Sequence, residues 1–326
     1  MVENYGLPYT GSKSRSAYWV IDHLPGGRVL IDAFAGGCSI THRALLSKKW
    51  MTIIANDINC KYPQLFLDAV RGKYRDEQRW ISREDFERLK SQDAFVACCW
   101  SFGNNLKDYI YSKAIEPYKR ALHYAIVLDD FAQMQELMPE VAQAVADALH
   151  GLNNLHDRRI TAQNVIVKTL KRLTDDNYAH QIIQGNPLYQ KIKKDAQHLQ
   201  SLQSLQSLES LERLERLQSL ERLESLQSLR VTSLSYNKID IPADAVVYCD
   251  PPYHASNKNF YEGAARFDHN AFYDWCVRVS KTNPIFISEY SIKDDRFEIV
   301  AEKQKITSMS AAKSSIVTER IYTVKK

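Results

Sequence analysis

The first quarter of the chain alternates short apolar runs with an amphipathic stretch. Residues 28–32 (RVLID) and 51–57 (MTIIAND) are apolar runs that each end in an acidic residue, and a helical pattern fits the stretch from about 39 to 48 between them. A strand, a helix and a second strand at this spacing form a βαβ unit, whose two strands are parallel. The pattern therefore predicts a parallel sheet that carries Asp32 and Asp57 at its carboxyl edge.

The middle of the chain is mainly helical in pattern, from about residue 95 to residue 194. Good helix formers fill residues 136–152, and Thr161 is placed to cap a helix that runs to Leu173. No strand rhythm interrupts this stretch. We therefore predict a separate helical insertion, with bounds of 95–195.

Strand patterns return after residue 228. They occupy residues 229–234, 245–249, 284–288 and 315–324, the last as a closing edge strand or hairpin. Because the α/β pattern resumes where it was interrupted, we predict that 1–94 and 231–326 together form one sheet domain.

A low-complexity block at 196–230 separates the insertion from the returning strands. Leucine recurs there at every third position, eleven times from Leu199 to Leu229, with Ser, Gln, Glu and Arg between. In an α-helix each leucine steps back by about 60°, so the apolar stripe winds around the rod. Residue propensities favour a helix, and a short solenoid is the competing interpretation. We predict a helix and assign the block no chemistry.

The overall composition, 44% hydrophobic and 25% charged, is typical of a globular protein. No apolar run approaches the roughly 18 residues that span a bilayer, and residues 1–15 lack the apolar core of a signal peptide. We therefore expect a cytoplasmic protein without membrane contact. The six cysteines lack metal-ligand spacing, so we predict reduced thiols, several of them buried, and neither disulfides nor a zinc site.

The net charge of +4 is modest, but positive charge is concentrated in one part of the insertion. Residues 158–194 carry a local net charge of +6, because eight basic residues outnumber two acidic ones. The basic residues are Arg158, Arg159, Lys168, Lys171, Arg172, Lys191, Lys193 and Lys194, and the acidic ones are Asp175 and Asp176. Such an excess suits phosphate neutralisation. A solvated helix face explains it equally well.

Residues 250–253 (DPPY) are the most specific motif. They directly follow a buried-looking strand, at the edge where open α/β sheets bind ligands. Two successive prolines stiffen the chain and cannot donate backbone hydrogen bonds, so a rigid pair of acceptors is left beside Asp250. That pair matches the two N–H donors of an exocyclic amine, and Tyr253 offers a flat face for a purine. The alternative is a strand that ends in a tight turn.

Two further motifs suit a nucleoside. The glycines of residues 32–37 (DAFAGG) allow backbone amides to approach a ligand closely, although the spacing is not GxGxxG. The carboxylate of Asp57, at the end of the second strand, is placed to bind ribose hydroxyls. A plain structural turn and an acidic helix cap are the respective alternatives.

Together the three motifs resemble the Dam-type, or D12-class, N6-adenine DNA methyltransferases. The resemblance covers nearly the whole chain except the leucine block and follows the alpha-group order: cofactor loop, helical target-recognition insertion, then DPPY. A phage or prophage member of the family is the nearest match in kind. The resemblance implies a Rossmann-like methyltransferase sheet with an inserted DNA-binding domain.

The same resemblance assigns roles to individual residues. Cofactor contacts are implied for Tyr9, Lys13, Asp32, Phe34, Gly36, Asp57, Ser235, Tyr236 and Asp250. The catalytic residues are Asp250, Pro251, Pro252 and Tyr253, and the nucleic-acid contacts are Asn104, Asn105, Arg158, Arg159, Lys168, Lys171 and Arg172. Cys38 stands where a third glycine is common, and Ser235 replaces a frequent acid. His269, after Asp268, is interpreted as structural rather than as a general base.

The implied activity is methyl transfer from S-adenosylmethionine to N6 of an adenine that is flipped out of double-stranded DNA. Neither a metal nor an obligate protein partner is implied. Protein glutamine and N4-cytosine enzymes usually place Asn or Ser before the Pro-Pro pair, so Asp250 favours adenine. Two alternatives remain open: an RNA adenine methyltransferase, and a DNA-binding module whose active site has decayed. A dehydrogenase fits less well because of the glycine spacing.

Overall fold

The computed structural model describes residues 4–174, 208–224, 228–253, 267–308 and 314–326. It divides into two compact units. The sheet unit comprises Met1–Arg75 and Leu217–Lys326, and the helical unit comprises Asp76–Arg216. The functional boundaries predicted above, at residues 94, 195 and 230, stay predictions.

The sheet unit is built on seven strands. They are β1 (Gly27–Asp32), β2 (Trp50–Asn56), β3 (Ser228–Thr232), β4 (Val246–Cys249), β5 (Ile285–Glu289), β6 (Phe297–Ser308) and β7 (Ser314–Val324). Their order is β3-β2-β1-β4-β5-β7-β6; the first five are parallel and β7 runs antiparallel to both neighbours. The predicted α/β class and the mostly parallel sheet are confirmed, and the arrangement is consistent with a Rossmann-like methyltransferase fold.

The direction of strand addition reverses between β1 and β4. The chain adds β2 and β3 on one side of β1, and then places β4 on the other side, with Asp32 of β1 opposite Tyr248 of β4. A reversal of this kind opens a crevice beyond the carboxyl ends of the two strands, which is where open α/β sheets bind ligands. Asp32 and Asp250 therefore end neighbouring strands at the same crevice.

The helices of the sheet unit lie at Ala17–His23, Ser39–Ser47, Lys61–Val70 and His269–Val279, with short 3₁₀ segments at Ser219–Leu223 and Tyr236–Lys238. Asp268 caps the last of the four helices, since its Oδ1 accepts a hydrogen bond of 3.0 Å from the Ala271 amide. The interpretation of His269 as structural stays a prediction.

The helical unit contains Arg83–Leu89, Ala94–Trp100, Glu116–Leu128, Ala132–Leu137, Pro139–Leu149 and Leu155–Thr174, a 3₁₀ segment at Phe102–Asn104, and most of Glu209–Gln218. The predicted helix at 136–152 is broken at Met138, because a residue before proline is disfavoured in the α conformation. Thr161 is not a cap; the Asn154 Oδ1 accepts from the Asp157 amide at 2.8 Å, seven residues earlier. Within the described residues, no helix is long and apolar enough to cross a membrane.

The described part of the leucine block that precedes strand β3 is helical. An α-helix at Glu209–Gln218 leads into the 3₁₀ segment Ser219–Leu223, so the predicted helix is confirmed over 208–224 and a solenoid is not formed there. Six leucines fall in this stretch, and each is at most 3% exposed: Leu208, Leu211, Leu214, Leu217, Leu220 and Leu223.

The winding of the leucine stripe explains this complete burial. Three triplet steps from Leu208 to Leu217 turn the stripe by about 180°. Leu208 and Leu211 belong to the core of the helical unit, whereas the 3₁₀ segment packs against Lys61–Val70 in the sheet unit. Side chains at i and i+3 eclipse in a 3₁₀ helix, so Leu220 and Leu223 lie on the same side of this segment.

Lys119 is buried in the helical unit at 2% exposure, and its ammonium has no hydrogen-bond partner among the described residues. Burial lowers its pKa from 10.5 to about 7, although the charges of Glu209 and Glu212 oppose that shift. An unfolded chain therefore binds this proton more tightly than the folded one between pH 7 and 10.5, so stability rises with pH across that window.

Replacement of Lys119 by methionine should stabilise the helical unit by a few kcal/mol at pH 7, because the apolar chain stays and the desolvated ammonium is removed. Thermal unfolding at pH 7 and pH 9.5 measures this, and the advantage of the variant should shrink at the higher pH. Lys113→Met, at an exposed position, is the control. A destabilised Lys119→Met protein would contradict the prediction.

Candidate active site

The N-terminal segment is anchored on the glycine loop that follows β1. The Gly6 amide donates to Nδ1 of His42 at 2.9 Å, and the Leu7 amide donates to the Gly37 carbonyl at 2.7 Å. Gly6 has a φ of +69°, and a Cβ there would lie 2.4 Å from the Gly37 oxygen. Only glycine allows this approach, which places the segment that carries Tyr9 and Lys13 at the crevice.

The loop itself turns through left-handed backbone. Gly36 and Cys38 have φ values of +47° and +60°. The usual glycine at the position of Cys38 is explained by this conformation, which other residues adopt at some cost. Tyr9 packs over the loop, since a Cβ on Gly37 would lie 2.6 Å from that of Tyr9, and its ring lies 4.9 Å from the ring of Tyr62.

Asp32, at the end of β1, is a buried carboxyl with one oxygen unused. Its Oδ2 accepts from the Thr41 hydroxyl at 2.7 Å, whereas Oδ1 has no hydrogen-bond partner among the described residues. Burial raises the pKa of Asp32 to about 7, and the charges of Asp250 and Asp57 add to this increase. A buried orphan acceptor beside two further carboxylates is an arrangement that a cationic ligand stabilises.

Asp57 and Asn56, at the end of β2, have different partners. Asp57 accepts from the Gly36 amide and the Asn59 amide, both at 2.9 Å, and burial raises its pKa. Asn56 was not singled out from the sequence. Its buried amide joins the ends of two neighbouring segments by donating to the carbonyls of Ala33 and Leu234 at 3.0 and 2.9 Å. Asn56 therefore positions the loop, and the Gly36 amide of that loop in turn orients Asp57.

An aromatic cluster borders the loop on the side of β4. Phe34 stacks near Tyr236 with ring centroids 5.8 Å apart, and Phe267 and Phe272 meet Phe34 edge-on at 5.9 and 5.7 Å. Phe34 and Tyr236 are both half-buried. Ser235 directly precedes the 3₁₀ segment that carries Tyr236. The structure thus brings Phe34, Ser235 and Tyr236 together as predicted cofactor contacts.

The DPPY motif lies directly after β4, and its acid is paired with a lysine. The Lys13 ammonium lies 2.8 Å from Oδ1 of Asp250 and donates to the Tyr253 hydroxyl at 2.6 Å. It also lies 4.4 Å from the centroid of the Tyr253 ring, where a cation–π interaction is favourable. Lys13 thus contacts the DPPY motif, and its contact with the cofactor stays a prediction.

Glu319 of β7 completes this cluster and was missed in the sequence. It is 1% exposed; its Oε1 accepts a hydrogen bond from the Tyr253 hydroxyl and lies 3.4 Å from the Lys13 ammonium. Burial, together with the charges of Asp250 and Glu319, raises the pKa of Tyr253 well above its usual range. Tyr253 therefore stays protonated and acts as the donor in its bond to Glu319.

Two of the predicted nucleic-acid contacts, Asn104 and Asn105, lie in a loop of the helical unit. Ser101 and Tyr109 pair as an antiparallel bridge at its base, and Asn104 has a φ of +61°. The Asn105 side chain accepts from the amides of Lys107 and Asp108 at 2.9 and 3.0 Å. Asn105 therefore shapes the loop, which presents other exposed side chains, among them that of Phe102.

Two arginines that were predicted to bind phosphate are used internally. Arg158 donates to the carbonyls of Ile126, Leu152 and Ala125 at 2.6 to 3.0 Å, and it pairs with Asp129. Arg159 is nearly buried between Glu215 and Glu212, at 2.9 and 3.1 Å. Their guanidinium groups are satisfied within the helical unit, so we withdraw them as phosphate contacts.

Six other basic residues belong to this stretch. Lys168 is exposed on the helix Leu155–Thr174, and its assignment stays a prediction. Lys171 and Arg172 lie on the same helix. Lys191, Lys193 and Lys194 lie outside the described residues.

Five of the six cysteines, all but Cys60, are buried, as predicted for several of them. Burial raises the pKa of Cys99 to about 12, so its thiol stays protonated and weakly nucleophilic.

The glycine loop, the buried carboxylate of Asp32 and the DPPY motif thus lie together at the carboxyl ends of β1 and β4. Residues 9–143 match the D12 class N6 adenine-specific DNA methyltransferase family. The resemblance to the D12 class is therefore confirmed over these residues, and its phage-like and alpha-group details stay predictions. The match ends before the leucine block and Asp250. No curated protein matches the chain.

The match to the D12 class supports adenine methyltransferase activity and implies a methyl donor. Within the matched residues lie Tyr9, Lys13, Asp32, Phe34 and Asp57. The DPPY motif joins them through the sheet, because β4 pairs with β1.

Proposed function

We propose that this D12-class protein transfers a methyl group from S-adenosylmethionine to N6 of an adenine that is flipped out of double-stranded DNA. The observation that carries the proposal is the placement of Asp250 beside Asp32 at the ends of β4 and β1, with the family match on the cofactor half. The adjacent strand ends provide one site for a cationic cofactor and one for an amine.

The residues present fit S-adenosylmethionine. The orphan Oδ1 of buried Asp32 suits the ammonium of the cofactor, and Asp57 is oriented to accept from its ribose hydroxyls. Phe34 and Tyr236 offer aromatic faces for its purine. When bound, the cofactor supplies an electrophilic methyl group on a sulfonium.

The catalytic role falls to the DPPY motif. Asp250 and the carbonyl of Pro251 accept the two N6 hydrogens, which draws the nitrogen lone pair out of conjugation with the ring. Positioning of this lone pair supplies much of the rate, and the charge of Asp250 stabilises the positive charge that develops on N6. Tyr253, held neutral by its surroundings, bounds the pocket in which the ring stacks.

The helical unit is proposed to hold the DNA. Exposed side chains of the loop at 101–109 and Lys168 are available for contacts with bases and phosphates.

The test of the whole proposal is transfer of labelled methyl from S-adenosylmethionine to unmethylated duplex DNA, followed by nucleoside digestion. Labelled N6-methyladenine supports it, and label in RNA alone would contradict the DNA substrate. No label from folded, cofactor-binding protein would indicate a decayed DNA-binding module.

Cofactor affinity should depend on pH through Asp32. The pKa of this carboxyl is raised to about 7 and a cationic ligand prefers its ionised form, so affinity should increase from pH 5.5 and level off near pH 7.5. The increase should approach tenfold per pH unit at the acid end. Equilibrium dialysis with labelled cofactor measures it.

The matched control is Asp32→Asn, which should bind more weakly and lose the pH dependence. In the wild-type protein without cofactor, ionisation of Asp32 should lower stability as the pH rises toward 7, because the folded state binds this proton more tightly than the unfolded chain. A wild-type affinity that is constant from pH 5.5 to 7.5 would rule out contact between Asp32 and the cofactor cation.

A further inference from the structure

Glu319 is a buried carboxylate that the reaction described above does not use. Side chains alternate across β7, so Glu319 shares a face of the strand with the buried Ile321. Arg320, on the opposite face, pairs with the exposed Glu302. A buried carboxylate is costly unless charged or hydrogen-bonding groups compensate it, and Glu319 is compensated by Lys13 and Tyr253.

Among the described residues, Lys13 is close to the carboxylates of Asp250 and Glu319. Its ammonium lies 2.8 Å from Asp250 and 3.4 Å from Glu319, and it donates to the Tyr253 hydroxyl between them. The shorter of these two ion-pair distances is to Asp250, the residue that accepts a hydrogen bond from the target amine in the proposed reaction. An ammonium beside Asp250 and over the Tyr253 ring occupies the place that an adenine amine would take.

We infer that Glu319 is a positioning residue that takes over the Lys13 ammonium when the target amine binds Asp250. The inference rests on the proposed function. Lys13 cannot be left in this nearly buried site without a counter-charge, and Glu319 already lies close enough that the transfer requires only a small movement. Through the Tyr253 hydroxyl, Glu319 also fixes the ring that borders the pocket.

The exchange predicts a specific defect in Glu319→Gln. Its amide oxygen still accepts from Tyr253, but it no longer offers Lys13 a charge, so Lys13 stays on Asp250 and competes with the amine. We expect kcat for adenine methylation to fall about tenfold to a hundredfold, as for loss of a charged hydrogen bond. The Kd of the cofactor should change less than about twofold, because Asp32 and Asp57, to which the proposal assigns the cofactor, lie at the ends of β1 and β2 and not on β7. Glu302→Gln on the neighbouring strand is the matched control and should match the wild-type protein.

A double variant separates this exchange from a purely structural role. If Glu319 acts through Lys13, then Lys13→Met with Glu319→Gln should be no slower than Lys13→Met alone. Losses that multiply in the double variant would overturn the inference, as would a Glu319→Gln kcat within about twofold of wild type. Wild-type protein that methylates no adenine would contradict the proposed function itself, and the inference with it.

Folding is checked by thermal unfolding of each variant. If Glu319→Gln melts well below wild type, Tyr253→Phe tests the same cluster, because it keeps both charges and removes only the hydroxyl that Glu319 holds. Its kcat should fall about threefold to tenfold, as for loss of one buried hydrogen bond. An unchanged kcat in Tyr253→Phe would then overturn the inference.

Discussion

Asp250→Ala should lower kcat for adenine methylation on the order of a thousandfold, while the Kd of S-adenosylmethionine changes little. The carboxylate accepts an N6 hydrogen and opposes the charge that develops in the transition state, and loss of such a group typically has an effect of this size. Asp32 at the end of β1 and Asp57 directly after β2, which we assign to the cofactor, are unchanged in this variant. Single-turnover methyl transfer with saturating cofactor measures the change.

Two further variants interpret the result for Asp250. Asp250→Asn keeps one acceptor and the shape of the side chain, so its loss should be smaller than that of the alanine variant. Asp240→Ala, at an exposed position before β4, should behave as wild type. Methylation by Asp250→Ala at near wild-type rate would rule out the mechanism, whatever the other variants show.

Leu211→Ala should destabilise the helical unit by about 2–5 kcal/mol, since it removes a fully buried leucine from a packed core. For a unit of this size the melting temperature should fall by roughly 10 °C. Differential scanning calorimetry measures the transition, and Arg222→Ala, at an exposed position of the same repeat, is the control. A loss below about 1 kcal/mol would show that the repeat contributes no core packing.

The parallel part of the fold could be predicted because its strands are apolar runs with clear ends. Runs at 28–32, 51–57 and 245–249 each correspond to an observed strand within one residue at either end. The long β6 (Phe297–Ser308) was not predicted. It is an edge strand whose second half (EKQK at 302–305) is polar, so no long apolar run marks it in the sequence.

The site was predictable where a motif is local in sequence. Asp32, Asp57 and Asp250 each end a strand, and strand pairing then places Asp32 near Asp250. Glu319 was not predictable in this way, because a lone glutamate next to an arginine near the end of a chain has the pattern of a solvent-exposed edge. Its burial becomes evident only from its contacts with Tyr253, which follows β4, and with Lys13 of the N-terminal segment.

The charge pattern misled for a related reason. Counting basic residues does not show which guanidinium groups are used by backbone carbonyls, as that of Arg158 is, or by distant glutamates, as that of Arg159 is. Glu212 illustrates the same limit. Its helical spacing of four residues would favour a pair with Arg216, yet its carboxylate contacts Arg159.

The split of the sheet unit around the helical unit has a consequence for synthesis on the ribosome. β1 and β2 emerge early, but their outer neighbours β4 and β3 begin about 170 residues after the end of β2. At ordinary elongation rates of roughly 5–20 residues per second, that interval lasts about 10–30 s. The contiguous helical unit can fold during this time, whereas the two apolar strands must wait with unpaired edges. Nascent chains that stall in this window are therefore the form of the protein most exposed to aggregation and most dependent on chaperones.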